Sequence, residues 1–252
     1  ARVRRRCMRR MPEGSAQDCV PAPFNARTRV HDDGGEAFTA STGTLFFSNF
    51  ADGRLYRLDN GDIEPRPITP EIELRYADAV IDRTRNRLLC VREDHTAAGR
   101  EATNTIIALD PDKDPTGGTV LIQGCNFYSS PRISPDGARL AWLQWNHPNM
   151  PWDGCELWLG DFDSQGRVTN RVKVAGGATE AICQPEWSPD GLLYFIDEQT
   201  GWWNLYRWQD GKADPVHPME AEFGVPHWVF CTSTYAFGSA QRMVCTYGRT
   251  CV

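Results

Sequence analysis

Ser134-Pro135-Asp136-Gly137 and Ser188-Pro189-Asp190-Gly191 are the stretches whose reading decides the fold. Each is followed by an apolar run, Leu140-Ala141-Trp142-Leu143 in one case and Leu192-Leu193-Tyr194-Phe195 in the other. Proline holds φ near the value a turn needs and Asp-Gly supplies the reversal, so the tetrapeptide reads as a hairpin between two strands. The residues ahead of it also correspond, Pro131-Arg132-Ile133 with Pro185-Glu186-Trp187. A second pair of segments, about 150 residues apart, shares one grammar. Gly43-Thr44-Leu45-Phe46-Phe47-Ser48 leads to Arg54-Leu55-Tyr56-Arg57-Leu58-Asp59-Asn60-Gly61. Gly191-Leu192-Leu193-Tyr194-Phe195-Ile196 leads to Asn204-Leu205-Tyr206-Arg207-Trp208-Gln209-Asp210-Gly211. Each runs glycine, apolar strand, polar turn, second strand, and a closing Asn-Gly or Asp-Gly that tolerates positive φ.

Outward from these turns, units begin near Phe38, Tyr76, Ser129 and Cys183. A spacing of roughly 40 to 55 residues with four strands per unit predicts an all-β protein, a β-propeller of four-stranded blades. Such a unit cannot bury both faces alone and must lean on the next. The expected domain is 1–252, with about four complete blades, a partial first blade over 1–28 and a partial last blade over 222–252. A β-sandwich would also show many short strands, but it has no need of a repeated Ser-Pro-Asp-Gly turn.

Composition agrees with a globular β protein. Hydrophobic residues make up 40% and charged residues 24%, and the 22 glycines and 17 prolines punctuate the apolar runs. A net charge of -6 argues against a general nucleic-acid binder. Arg2, Arg4, Arg5, Arg6, Arg9 and Arg10 crowd the N-terminus without interleaved aromatics, which reads as a solvated segment. No apolar run approaches the roughly 18 residues of a membrane span, and no signal-type apolar region opens the chain, so a cytoplasmic location is expected. Nine cysteines lack any C-x-x-C spacing, so no metal or other cofactor is expected. Several sit within apolar strands as small hydrophobes, and Cys7 and Cys19 are spaced to face each other across a hairpin.

At this point the residues resemble a known family. Arg29-Val30-His31, the Ser-Pro-Asp-Gly turns, the run from Trp145 to Gly154, Gly201-Trp202-Trp203-Asn204-Leu205-Tyr206, Glu220-Ala221-Glu222-Phe223-Gly224 and Trp228-Val229-Phe230 look like the propeller of prolyl oligopeptidase family serine peptidases. The branch is the dipeptidyl-aminopeptidase/acylaminoacyl-peptidase-like one, and the likeness is to its N-terminal β-propeller portion. The resemblance implies a propeller that caps an α/β-hydrolase domain and restricts access to short peptides. This sequence has no Gly-x-Ser-x-Gly elbow, so no catalytic residue is assigned and the chain alone is not expected to hydrolyse peptides. Three departures from the family pattern are Asp32-Asp33-Gly34-Gly35, where an acidic-aromatic-glycine run is expected, Cys231, where a small residue such as Gly is expected, and Cys155, where a small polar one is expected.

Two segments supply the candidate substrate-binding residues. The first is the loop carrying Trp145, His147, Asn149, Trp152 and Asp153, read as lining the face that meets a hydrolase domain or a peptide, against the alternative of a self-packed loop. The second is the pair Glu220 and Glu222, whose spacing puts both carboxylates on one face of an extended strand. The resemblance implies that such acids hold a peptide's free amino terminus; the alternative is a solvated pair. His31 reads as a hydrogen-bonded strand-end residue, and Trp202 and Trp203 as core and blade contacts on opposite faces of a strand. The expected partners are a peptide substrate or a hydrolase domain, with homo-oligomerisation through open blade edges as a further outcome and no nucleic acid or membrane. The rival functions are a free-standing protein-interaction propeller and an independent propeller hydrolase.

Overall fold

The computed structural model describes residues 7–10 and 13–248. Arg2, Arg4, Arg5 and Arg6 of the basic cluster, and Cys251, lie outside the described residues. Every regular element among the described residues is a strand or bridge. The chain forms two compact units, 1–121 and 122–252.

In the first unit, β1 (Met8–Arg10) pairs with β2 (Ala16–Asp18) as a two-stranded sheet. A four-stranded antiparallel sheet follows in sequential order: β3 (Phe38–Ser41), β4 (Thr44–Ser48), β5 (Leu55–Asp59) and β6 (Arg66–Pro67). The next comprises β7 (Leu74–Asp82), β8 (Arg87–Asp94), β9 (Thr103–Leu109) and β10 (Thr119–Ile122). The second unit holds β11 (Phe127–Ile133), β12 (Arg139–Trp145), β13 (Glu156–Phe162) and β14 (Val168–Gly176) in one sheet. Another contains β15 (Ile182–Trp187), β16 (Leu193–Asp197), β17 (Asn204–Gln209) and β18 (Lys212–Pro215). The two-stranded sheet of β19 (Tyr235–Ser239) and β20 (Arg242–Cys245) ends the described series. The fold is a β-propeller, and the described residues form four four-stranded blades with a two-stranded sheet on either side of them in sequence.

Each sheet shields a face on its neighbour within its unit, as the repeat requires. Phe46, Leu55 and Ile68 meet Leu74, Tyr76, Leu88, Cys90, Ile107 and Leu109 in one cluster of the first unit. In the second, Leu143, Trp145 and Leu157 meet Ile182, Leu193, Phe195 and Tyr206. Full burial of a side chain such as Phe195, which is 0% exposed, contributes roughly 2–3 kcal/mol.

The Ser-Pro-Asp-Gly turns close through the same bonds in both blades. The Gly137 and Gly191 amides donate to the Ser134 and Ser188 carbonyls at 2.8 and 2.9 Å. Each serine hydroxyl donates to the aspartate two residues on and accepts a backbone amide, from Arg139 at 2.9 Å and from Leu192 at 3.0 Å. Gly137 and Gly191 sit at φ of 72° and 84°, which explains the invariant last letter of the repeat. A feature the turns do not announce is a bulge in the first strand of three blades, between Ala77 and Val80, Ser129 and Arg132, and Cys183 and Glu186. The residues inside these bulges, Asp78, Ser130 and Gln184, all take positive φ.

Several expectations meet local differences. Trp202 and Trp203 precede β17, which starts at Asn204, so they occupy its entry turn and do not alternate across a strand. Glu220 and Glu222 lie in the connection between β18 and β19, where only an isolated bridge pairs Glu222 with Gly248. Pro218 and Pro226 flank this segment and cannot donate to a ladder. His31 occupies a turn at φ 53°, its amide donating to Glu93 at 3.1 Å. Cys231 sits at φ 61°, the left-handed region that favours the glycine expected there. Cys155 fills a polar role with sulfur: its thiol donates to the Ile182 carbonyl at 3.1 Å and accepts the Ile182 amide at 3.3 Å.

Candidate functional site

Antiparallel pairing within the second unit brings four connections to one end of its sheets. They are 146–155 after β12, 177–181 after β14, 198–203 after β16 and 216–234 after β18. All seven sequence-derived candidates lie on this end, at the tip of β12 or in these connections.

Trp145 closes β12 and is buried, its ring stacked on Phe127 at 5.5 Å. His147 is exposed and meets Phe127 edge-on at 4.9 Å. Asn149 works inside the loop: its amide donates to the Ala178 carbonyl at 2.7 Å and the Gly154 carbonyl at 3.4 Å. Asp153 accepts the Met150 amide at 2.9 Å while staying exposed. Gly154 passes so close to the 177–178 backbone that an added Cβ would lie 2.5 Å from Ala178. Trp152 is half-buried and contacts Trp228 at 4.2 Å. Glu222 accepts the Trp203 amide at 2.9 Å, whereas Glu220 is exposed.

The structure adds carboxylates that the motif reading passes over. Asp197, at the end of β16, is 0% exposed. It accepts the Gln199 amide at 2.9 Å and the Gln199 side-chain amide at 3.1 Å, and the Glu180 carboxyl is near enough to oppose its ionisation. Burial, with the added charge of Glu180, pushes the Asp197 carboxyl up to about 7. Glu198 accepts the Ala181 amide at 2.9 Å. Burial raises its pKa, and the charges of Glu180, Glu222 and Asp153 raise it further. His227 also belongs to this end, 6.2 Å from Trp203, with both ring nitrogens buried and unpartnered. Burial lowers its pKa to about 4, so it is neutral at physiological pH. The signal that could have found Asp197 is an acid following the apolar run Leu192 to Ile196 at a strand end.

Five carboxyl side chains thus share one electrostatic neighbourhood beside the indoles of Trp152, Trp203 and Trp228. Such an arrangement attracts a cation and offers it apolar walls. Among the described residues no group of three or more His, Cys, Asp or Glu is arranged to hold a metal ion. No helix among them is long and apolar enough to cross a membrane.

No family model and no curated protein matches the chain. Solved structures do. A crystal structure of puromycin hydrolase superposes with a TM-score of 0.90 at 33% identity, over 97% of this chain and 40% of that one. A puromycin-hydrolyzing peptidase of Mycobacterium tuberculosis gives 0.87 at 36% identity, over 94% of this chain and 39% of that one. The chain has the propeller of the prolyl oligopeptidase family. This propeller spans about 40% of the length of the relatives it matches. Prolyl oligopeptidase B from Galerina marginata shares the fold at a TM-score of 0.61 and 12% identity, covering 85% of this propeller and 32% of that chain.

Proposed function

We propose that this propeller gates and orients peptide substrates for an α/β-hydrolase domain. In this reading the carboxylates around Glu198 hold the substrate's free amino terminus, and Trp152, Trp203 and Trp228 wall the adjacent side chain. The observation that carries it is the convergence of Asp153, Glu180, Glu198 and Glu222, drawn from separate connections, on one electrostatic neighbourhood with no arginine or lysine in ion pairs to Glu180, Glu198 or Glu222 among the described residues. An ammonium group would relieve that repulsion through charge-assisted hydrogen bonds. The likeness to two puromycin-hydrolysing proteins supports the reading, because puromycin is an aminoacyl amide with a free α-amine.

The test uses the full-length enzyme and two substrates that differ only in N-acylation. The double variant Glu198→Gln, Asp153→Asn is expected to lower kcat/KM about tenfold or more for the free amine and to change it less than about twofold for the acylated form. Equal losses on both substrates, or none on either, reject the amine-holding role.

A second reading, a protein-interaction surface, rests on the exposed apolar side chains Met150, Val225, Trp228 and Val229 at the same end, Trp228 being 61% exposed. It predicts that Trp228→Glu weakens capture of a protein partner while leaving hydrolysis of a dipeptide amide unchanged.

A further inference from the structure

The first hairpin brings two thiols into register. β1 and β2 pair Met8 with Asp18, Arg9 with Gln17 and Arg10 with Ala16. One step further along the ladder places Cys7 opposite Cys19, and the Cys19 amide donates to the Cys7 carbonyl at 2.8 Å. Residues directly opposite on antiparallel strands share a face with Cα atoms about 4.5–5.5 Å apart, inside the range of about 4.4–6.8 Å that a disulfide spans. Both side chains pack on one apolar cluster with Val20, Ala26, Phe47 and Tyr56. Both are free thiols here.

We propose that Cys7 and Cys19 are a modification site, joined by an internal disulfide under oxidising conditions, that ties the first hairpin shut over the Phe47–Tyr56 cluster. The two thiols differ in a way that orders the chemistry. Cys7 is 5% exposed, and its thiol is pushed up to about 12, mainly by burial and then by the charges of Cys19 and Asp18. Cys19 is half-buried and reachable from solvent. The oxidant is a low-molecular-weight disulfide, RSSR. The Cys19 thiolate attacks one sulfur of RSSR; its S–S bond breaks, a mixed disulfide forms on Cys19, and RS⁻ leaves. That thiolate takes up the Cys7 proton. The Cys7 sulfur then attacks Cys19 Sγ, the S–S bond between Cys19 Sγ and the SR group breaks, and a second RS⁻ leaves and takes up a proton from solvent. Two cysteine thiols are oxidised and one RSSR is reduced to two RSH. Cys90, Cys155 and Cys183 are buried too, but among the described residues none of them is paired across a ladder with a second cysteine that solvent can reach.

The experiment is incubation of the native full chain with oxidised glutathione, alkylation of remaining thiols, and tryptic mass mapping without reduction. The expected product is the peptide Cys7-Met8-Arg9 linked to the peptide running from Met11 to Arg27, with a mass about 2 Da below that of the separate thiol peptides. The variant Cys7→Ser is expected to stop at a stable glutathione adduct on Cys19, and Cys19→Ser to leave Cys7 unmodified. Recovery of wild-type chain with glutathione still on Cys19 and Cys7 alkylated overturns the proposal. So does a link from either residue to any other cysteine. The wild-type map needs no variant to fold.

Discussion

Asp82 in the first unit and Asp197 in the second are both 0% exposed carboxylates at the ends of strands, yet they are held by opposite means. Asp82 accepts Nε of Arg87 at 2.9 Å, Nη1 of Arg85 at 3.2 Å and the Arg85 amide at 3.2 Å. These bonds staple the turn between β7 and β8, and the charge is consumed in doing so. No ion pair among the described residues involves Asp197, whose neighbours are another carboxyl, Glu180, and the two donors of Gln199. A buried charge matched by guanidinium groups is architecture. A buried acid whose ionisation is opposed by burial and by a neighbouring acid is a site whose charge a bound cation can stabilise.

The comparison can be broken at its strong end first. Asp82→Ala leaves two guanidinium groups facing an apolar void and is expected to destabilise the fold by roughly 3 kcal/mol, read as a lower urea midpoint at unchanged m. If the loss is no larger than for an exposed aspartate, the distinction between the two sites fails.

Asp197 is expected to act through pH. Its carboxyl is raised from 3.8 to about 7 in the fold. As pH rises above 3.8 the unfolded chain releases this proton while the native chain keeps it, so stability falls with pH up to about 7 and then levels. Asp197→Asn should flatten that decline, worth about 4 kcal/mol, and raise stability at pH 8. Urea titrations from pH 4 to 8 check this; a slope unaltered in the variant contradicts it.

His227 sharpens the contrast with a slope of the other sign. Its pKa falls from 6.5 to about 4 on burial. As pH drops through 6.5 the unfolded chain gains a proton that the native chain refuses, so stability is lost between pH 6.5 and about 4. His227→Phe, which needs no hydrogen-bond partner, should remove that acid-side loss of about 3 kcal/mol and leave stability at pH 8 nearly unchanged. A differential-scanning melt at pH 5 and pH 8 reads the difference.

The smallest expected effect is conformational. Cys231→Gly relaxes a non-glycine residue at φ 61° and should stabilise by about 1 kcal/mol, net of the entropy that glycine adds to the unfolded chain. A lower melting temperature would show that the Cys231 side chain contributes more than its backbone costs.

Much of the architecture was legible because its determinants are local. Ser134-Pro135-Asp136-Gly137 carries its own hydrogen-bond donors, acceptors and positive-φ residue, so the hairpin follows from four letters. The order of the strands followed from the repeat, since sheets that shield only one another must come in similar sets. The loop from Trp145 to Asp153 was recognisable as a candidate from its composition. The work of Asn149 was not, because its partner, the Ala178 carbonyl, is 29 residues away. The extended strand expected for Glu220 and Glu222 fails between two prolines, where the tertiary path of the connection outweighs residue alternation.

The sequence by itself determined that this chain is a run of four-stranded sheets with turns at stated residues, since strand alternation and turn chemistry act over a few positions. Only the tertiary structure decided that Asp197 is buried within reach of the Glu180 charge, that Glu198 feels Glu222 and Asp153, and that Trp152 meets Trp228. Charge interactions depend on distance through space and on the dielectric around the groups, and neither can be read from separation along the chain.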